Sequence, residues 1–324
     1  MVSAVLAAYA VTLTLLARGL RSRQWTTRAP RLAIVTWQCL TASVLVAVIS
    51  AGIALLVPSV HFTADLAQLL RACIDTLRAR YATPAGIAAG IIGVGVSGAV
   101  TLRVLLALTS TLIRSARWRR HHVAALAVLS GPAPFPDAVV LIEDAPVVYC
   151  VPGAQARIVL TTGAMRQLSH AELQAVLLHE RAHLRQRHHL VLAWTAALRQ
   201  AFPRSRLAMT AHEETTRLVE LLADDTAVRS SDRLDLAAAL LRLASNSSPR
   251  FALGAADSNA AQRIRRLIDP PRRVSPARTN STYILALTML LLPALTLIAP
   301  AVASRNAPFC PVHLDARASI KLAD

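Results

Sequence analysis

The stretch that decides the fold is Leu168-Ser-His-Ala-Glu-Leu-Gln-Ala-Val-Leu-Leu-His-Glu-Arg-Ala-His183. It opens with Ser169 and carries Glu172 three residues later, which is the capping-box pattern of a helix start. Apolar residues follow at helical spacing, so the pattern predicts a helix through the whole stretch. Because residues four apart lie on one face of a helix, His179 and His183 can bind one metal ion together.

Acidic residues within and after this helix complete a candidate hydrolytic site. Glu180 lies between the two histidines, on the metal side, where it can take a proton from water. Catalytic zinc usually has three protein ligands, and Glu220 in Val219-Glu-Leu-Leu-Ala-Asp-Asp225 is the candidate for the third. Asp224 is one helical turn beyond Glu220, which suits a carboxylate that holds a ligand imidazole by its other nitrogen. The sequence therefore predicts one Zn²⁺ per chain, bound by His179, His183 and Glu220.

Other polar residues near the motif are interpreted as having no part in this site. His188 and His189 belong to a basic run, and we expect them on a solvated or membrane-proximal surface. Cys150 is expected to be a small buried residue rather than a thiol ligand. The chain has 4 cysteines, widely spaced and without a CxxC pair, which argues against a disulfide framework.

The composition places much of the chain in a membrane. Of 324 residues, 54% are hydrophobic and only 16% are charged, which excludes a disordered protein and disfavours an ordinary soluble enzyme. Apolar stretches at about 2–17, 32–57, 85–113 and 280–303 approach or exceed the length needed to cross a bilayer. The predicted fold is an α-helical membrane protein with four transmembrane helices and an inserted α+β domain at 114–279 that carries the candidate metal site. A short extracytoplasmic tail is expected at 304–324.

Much of the net charge of +17 comes from arginines beside these apolar stretches. They follow the first and third stretches and precede the fourth, so the positive-inside rule predicts a cytoplasmic peptidase domain and extracytoplasmic termini in the inner (plasma) membrane. Arg103, inside the third stretch, is expected to snorkel or to pair within the helix bundle. Direct nucleic-acid binding is not expected, because aromatic residues are scarce and no basic stripe contains them. The expected partners are the lipid bilayer and a protein substrate, and the oligomeric state stays open.

The sequence pattern of the inserted segment predicts short strands followed by helices. Strands are predicted within 138–144, 145–152 and 157–161, and helices at 190–201, 210–229 and from Asp232 to Leu243. The strand at 157–161 is a candidate edge strand that could pair with an extended substrate.

Four stretches of the chain resemble gluzincin metallopeptidases, and more fully the integral-membrane BlaR/MecR-type peptidases. They are Ile158-Val-Leu-Thr-Thr-Gly-Ala-Met165, the motif helix at 168–183, Leu218-Val-Glu-Leu-Leu-Ala-Asp-Asp225 and Arg263-Ile-Arg-Arg-Leu267. The resemblance implies that the inserted domain at 114–279 is a gluzincin-like metallopeptidase, with His179, His183 and Glu220 as zinc ligands, Glu180 as general base and Asp224 as the supporting carboxylate. It also implies a substrate, a winged-helix DNA-binding repressor of the BlaI/MecI kind, so the chain would act as an antirepressor in signal transduction.

The chain departs from this family at its C-terminal end. Only residues 304–324 follow the fourth apolar stretch, without an SxxK motif, so we expect no penicillin-binding sensor domain. Two alternatives stay open: a quality-control protease of the HtpX/Ste24 type, which shares both motifs, and a non-catalytic membrane signal transducer.

Overall fold

The computed structural model describes residues 2–20, 24–56, 74, 78, 81–132, 135–153, 156–245, 255–271 and 274–303. The helices before the sheet are α1 (Val2–Leu20), α2 (Trp25–Arg28), α3 (Pro30–Leu56) and α4 (Pro84–Leu129). The strands are β1 (Ser130–Pro132), β2 (Ala138–Leu141), β3 (Val148–Val151) and β4 (Arg157–Thr161). The helices after them are α5 (Thr162–Gln167), α6 (His170–Arg185), α7 (His188–Ala201), α8 (Arg206–Ala227), α9 (Arg233–Ser245), α10 (Ala255–Ile268) and α11 (Pro276–Ala303). This mostly helical architecture with a small sheet agrees with the predicted class.

Four of the described helices, α1, α3, α4 and α11, are long and apolar enough to cross a membrane. They correspond to the four predicted stretches. Helix α4 continues without a break from the third stretch to Leu129, so the expected domain boundary at 113/114 falls inside one helix of 46 residues. The helix ends where Gly131 and Pro132 follow, because both residues disfavour helical continuation. The expected tail at 304–324 lies outside the described residues.

A proline in α11 explains one contact among these helices. Pro293 has no N–H, so the carbonyl of Met289, four residues earlier, lacks its usual helical donor. The hydroxyl groups of Tyr9 and Ser43 donate to that carbonyl at 2.6 and 2.5 Å. Hydroxyl donors from α1 and α3 therefore satisfy a backbone group that would be costly to leave unpaired in lipid.

The sheet has the strand order β1-β2-β4-β3, with β2 and β4 parallel and the other pairs antiparallel. Strand β4 matches its predicted range, but the expectation that it is an edge strand is wrong, because β2 and β3 pair with its two sides. The residues of β4 after Arg157 are buried, and Ile158 and Leu160 pack with Leu173 and Leu177 of α6. The edge strand beside α6 is β3.

The predicted capping box at the start of α6 is confirmed. The backbone N–H of Glu172 donates to the Ser169 hydroxyl at 3.2 Å, and the Glu172 carboxylate accepts from the Ser169 N–H at 2.8 Å. A box of this kind satisfies two backbone donors that would otherwise be unpaired. It therefore sets where α6 begins and, through the helical repeat, which face carries the histidines.

Helices α7 and α8 form a hairpin that packs against the apolar helices α3 and α4. Trp37 of α3, which is fully buried, shares a hydrophobic cluster with Leu218 and Leu221 of α8. Arg103 of α4 donates from Nε to the carbonyl of Ala201, the last residue of α7, at 2.5 Å. The arginine thus pairs within the bundle, with a helix C-terminus whose carbonyls favour a cation.

Replacing Arg103 by Met is expected to destabilise the protein, because the last turn of α7 loses a charged hydrogen-bond donor. The expected loss is about 2 kcal/mol in the free energy of unfolding, measured by denaturant titration of the full chain in detergent. Arg117→Met, at an exposed position of the same helix, is the control and should cost much less. Equal losses in the two variants would argue against the bond to Ala201.

Candidate metal centre

The structure brings the three predicted metal ligands together. The Nε2 atoms of His179 and His183 lie 3.1 Å apart on one face of α6. The Glu220 carboxylate comes from α8, with Oε2 3.5 Å from His179 Nε2 and Oε1 3.6 Å from His183 Nε2. One potential ligand atom from each residue lies within 4.8 Å of the other two.

These separations suit a tetrahedral zinc ion. Two ligand atoms that are each 2.0–2.1 Å from a tetrahedral zinc are about 3.3 Å apart, and the three observed distances fall on both sides of that value. Two imidazoles and one carboxylate are also a common donor set for catalytic zinc. His179, His183 and Glu220 therefore fit the ion by distance and by chemistry.

The second nitrogen of each histidine lies within 3.1 Å of another polar side chain. Nδ1 of His179 lies 3.0 Å from Oδ1 of Asp224, a carboxylate that is 1% exposed. Nδ1 of His183 lies 3.1 Å from Nδ1 of His188. If Nε2 offers its lone pair to a metal, each Nδ1 carries a hydrogen that can be donated to these partners. Asp224 thus occupies the supporting position that the sequence predicts.

The protonation states follow from burial and neighbouring charges. Burial acts to lower the pKa of His179, but hydrogen bonds to Asp224 and Glu220 outweigh it and raise the pKa to about 9. Burial and the charge of His179 lower the pKa of His183 to about 4. For Glu220, burial is outweighed by His179 and Arg263, which lower the pKa to about 2. The carboxylate is therefore ionised at neutral pH, as a metal ligand must be.

Residues 114–273 match the model described as Peptidase family M48. The matched range contains both histidines, Glu220 and the helices that carry them. These residues form a Peptidase family M48 domain. Peptidases of this family are metal-dependent hydrolases, typically with zinc, so the match and the long apolar helices together indicate a membrane-bound metallopeptidase. Comparison with curated proteins and with solved structures finds no match.

The M48 domain contains a buried arginine that motif analysis did not assign to the site. Arg263 of α10 donates to both oxygens of Asp224 at 2.8 and 2.7 Å, and its Nη1 lies 3.0 Å from Oε2 of Glu220. Its side chain is 14% exposed. The only sign of it in the sequence is its position in the stretch Arg263–Leu267, which carries part of the family resemblance. Arg263 is too far along the chain from Asp224 and Glu220 for residue spacing to predict the contact.

Arg263 balances part of the negative charge of the M48 site. Its neighbours are the carboxylates of Glu180, Glu220 and Asp224, all of which raise its pKa against the effect of burial. At neutral pH without a metal, the raised pKa of His179 makes its imidazole a second positive charge in this group. A divalent cation bound by the two imidazoles would displace that proton and supply positive charge in its place.

Glu180 lies against Cys150 of β3. Burial, followed by the charge and hydrogen-bonding effect of the nearby Glu180 carboxylate, raises the pKa of the Cys150 thiol. Burial also raises the pKa of Glu180, which favours a group that both accepts and returns a proton. Cys150 is half-buried rather than fully buried as expected, and the sequence did not predict that it lies near the candidate base.

The expectation that His188 lies on a solvated surface is wrong. Its ring is 3% exposed, and burial lowers its pKa to about 4, so it is neutral and can accept a hydrogen bond. The backbone explains its position: Arg187 has φ 50°, in the left-handed region, and this turn between α6 and α7 directs His188 back towards His183. Adjacent histidines in a basic run give no sign of which one will be buried.

Replacing His188 by Ala is expected to weaken zinc binding by about tenfold, because the His183 imidazole loses the acceptor that orients it. Competition with a chelator measures this in the full chain. His189→Ala is the matched control, and His188→Asn, which restores an acceptor, should recover part of the affinity. Equal affinities in the two Ala variants would contradict a role for His188 in holding His183.

Proposed function

We propose that the chain is a membrane-embedded zinc endopeptidase that hydrolyses peptide bonds in a protein substrate at the cytoplasmic face. The observation that carries this is the convergence of His179 and His183 with Glu220 at the spacing of zinc ligands. The match to Peptidase family M48 supports the hydrolase class. An intact set of ligands argues against the non-catalytic alternative, for which zinc loading of less than one equivalent is the deciding result.

Each side chain has a distinct part in the proposed mechanism. His179, His183 and Glu220 hold the metal, and a bound zinc ion supplies polarisation of the scissile carbonyl and activation of water. Glu180 accepts a proton from the attacking water and returns it to the leaving amine. Asp224 fixes the orientation of His179 through Nδ1, and Arg263 holds Asp224 and Glu220 in place.

The edge of β3 is the proposed docking place for the substrate backbone. Among the described residues, β3 pairs only with β4, so its other side can pair with an extended peptide. The strand carries Cys150 beside Glu180, which brings this edge close to the candidate base. A substrate bound there would present successive peptide bonds along the metal site.

The cytoplasmic orientation is part of this proposal. The positive-inside rule is its main support. A contact between the two arginine-rich segments is consistent with it: Arg266 donates to the carbonyl of Thr27 at 3.0 Å. The segment after α1 and the segment before α11 therefore lie on the same side of the apolar helices, as the proposed topology requires.

For the substrate, we propose a winged-helix transcriptional repressor, on the basis of the BlaR/MecR-type resemblance. The test follows a tagged candidate repressor in cells that carry either the parent chain or Glu180→Gln, with and without cell-wall stress. We expect stress-dependent cleavage only with the parent chain. A repressor that stays intact under stress in parent cells would contradict this substrate while leaving the peptidase proposal standing.

The second candidate is a quality-control protease of the HtpX type, with which the M48 match is equally consistent. Substrate range separates the two. Sequencing of new protein N-termini in membranes from parent and Glu180→Gln cells should give one dominant substrate for an antirepressor. Many cleaved membrane proteins, increasing with misfolding stress, would favour quality control.

A further inference from the structure

A basic cavity of about 660 Å³ lies where the apolar helices α3 and α11 begin. Residues from α2, α3, the end of α8, α9, α10 and the start of α11 line it. Its walls carry five arginines: Arg28, Arg31, Arg229, Arg233 and Arg266. The mechanism proposed above uses none of them.

Most of the positive charge in this cavity has no carboxylate to neutralise it. Asp225 is the acidic side chain among the lining residues, and it pairs with Arg266 at 2.6 and 2.8 Å. The ion pairs found within the described part of the chain include none to Arg28, Arg31, Arg229 or Arg233. Four guanidinium groups around one cavity create a strong site for an anion.

The chemistry of the wall favours a phosphate group. Guanidinium groups bind phosphate through paired hydrogen bonds. Helix α3 begins at Pro30, which lines the cavity, and the N-terminal end of a 27-residue helix adds positive potential. Because α3 and α11 are both long enough to cross a membrane, the cavity lies at a membrane surface whichever way the chain inserts. Tyr283 in the wall is of a residue type common at that depth.

We propose that this cavity binds a phosphate group, and that an anionic phospholipid headgroup is the source that its position favours. The adjoining cavity, of about 310 Å³, shares Arg31, Leu222 and Arg229 and reaches His188. The lipid site is therefore separate from the metal ligands but lies next to the residue that contacts His183. Anionic lipids would then hold the M48 domain at a defined position against the membrane.

Native mass spectrometry of the full chain in detergent can test this with three probes: dioleoyl-phosphatidylglycerol, dioleoyl-phosphatidylcholine and inorganic phosphate. The test variant is Arg31→Gln/Arg229→Gln. The matched control is Arg157→Gln/Arg199→Gln, which removes the same charge at exposed positions that do not line this cavity. Zinc content and elution volume report whether each variant is folded, and the single change Arg31→Gln is used if the double variant is not.

We expect the parent to bind phosphatidylglycerol at least tenfold more tightly than phosphatidylcholine, and the cavity variant to lose about tenfold. The control variant should change less than twofold. Displacement of the lipid by millimolar phosphate would identify the phosphate group alone as sufficient, and its failure to displace would assign the site to the lipid. Equal binding of the two lipids, or equal losses in cavity and control variants, would overturn the proposal.

Discussion

Replacing Glu180 by Gln is expected to lower kcat/KM for peptide hydrolysis by about 10³-fold, which is within the range for losing a general base. Glutamine has nearly the same shape but cannot take a proton at neutral pH. The metal ligands are unchanged, so zinc content should stay at one per chain. Hydrolysis of a quenched fluorescent peptide, together with metal analysis of the same preparation, measures both quantities.

The control for this variant is Glu213→Gln. Glu213 lies on α8, the helix that carries Glu220, but it is exposed and stands outside the metal site. Its replacement makes the same chemical change and should leave kcat/KM within about twofold of the parent. Hydrolysis by Glu180→Gln at the parental rate would remove Glu180 from the mechanism, whatever the zinc content.

The parts of the site that the sequence predicts are those governed by local spacing. His179 and His183 share a helix, and so do Glu220 and Asp224, so the helical repeat alone places each pair on one face. The capping box at Ser169 similarly determines where α6 begins. The two pairs come together because α6 packs against α8. The family resemblance implies this packing, but the spacing of the residues does not predict it.

Local spacing did not predict the positions of Arg263 and His188. Arg263 is on α10, a helix that the sequence pattern did not predict. Its two hydrogen bonds to Asp224 depend on how α10 packs against α8. His188 reaches His183 because Arg187 adopts a left-handed conformation, which non-glycine residues rarely do. Neither contact has a period or a motif, so only the folded chain reveals them.

The sequence also did not predict the packing of the peptidase helices against the membrane helices. The inserted segment has a core of its own around Ile158, Leu177 and Leu236. However, Leu218 and Leu221 pack on Trp37 of α3. Leu218 and Leu221 lie on the face of α8 that packs on α3, whereas Glu220, between them in sequence, lies on the face towards the metal site. Movement of α3 would act directly on the helix that provides a metal ligand.

Replacing Asp224 by Asn is expected to have the second large effect, on zinc affinity and on stability together. Burial acts to raise the pKa of Asp224, but Arg263 and His179 outweigh it and hold the pKa well below its usual range. The variant leaves Arg263 with a weaker partner in a buried position. We expect zinc to bind 10- to 100-fold more weakly and the free energy of unfolding to fall by about 3 kcal/mol.

The neighbouring residue provides a matched control. Asp225 pairs with Arg266 through two hydrogen bonds, as Asp224 does with Arg263, but it is 32% exposed and belongs to the basic cavity. Asp225→Asn should keep zinc affinity within about twofold, because its carboxylate does not contact a ligand histidine. A similar loss of zinc in the two variants would mean that any lost ion pair on α8 disturbs the site.

A double variant separates the two effects of Asp224. In Asp224→Asn/Arg263→Met the buried guanidinium is removed together with the carboxylate, so stability should recover in part, because no uncompensated charge remains. Zinc affinity should stay low, since His179 still lacks the carboxylate at Nδ1 and Glu220 has lost its guanidinium partner. Recovery of both stability and zinc affinity would mean that Asp224 has only a structural role. Recovery of stability alone would establish that this ion pair positions two metal ligands.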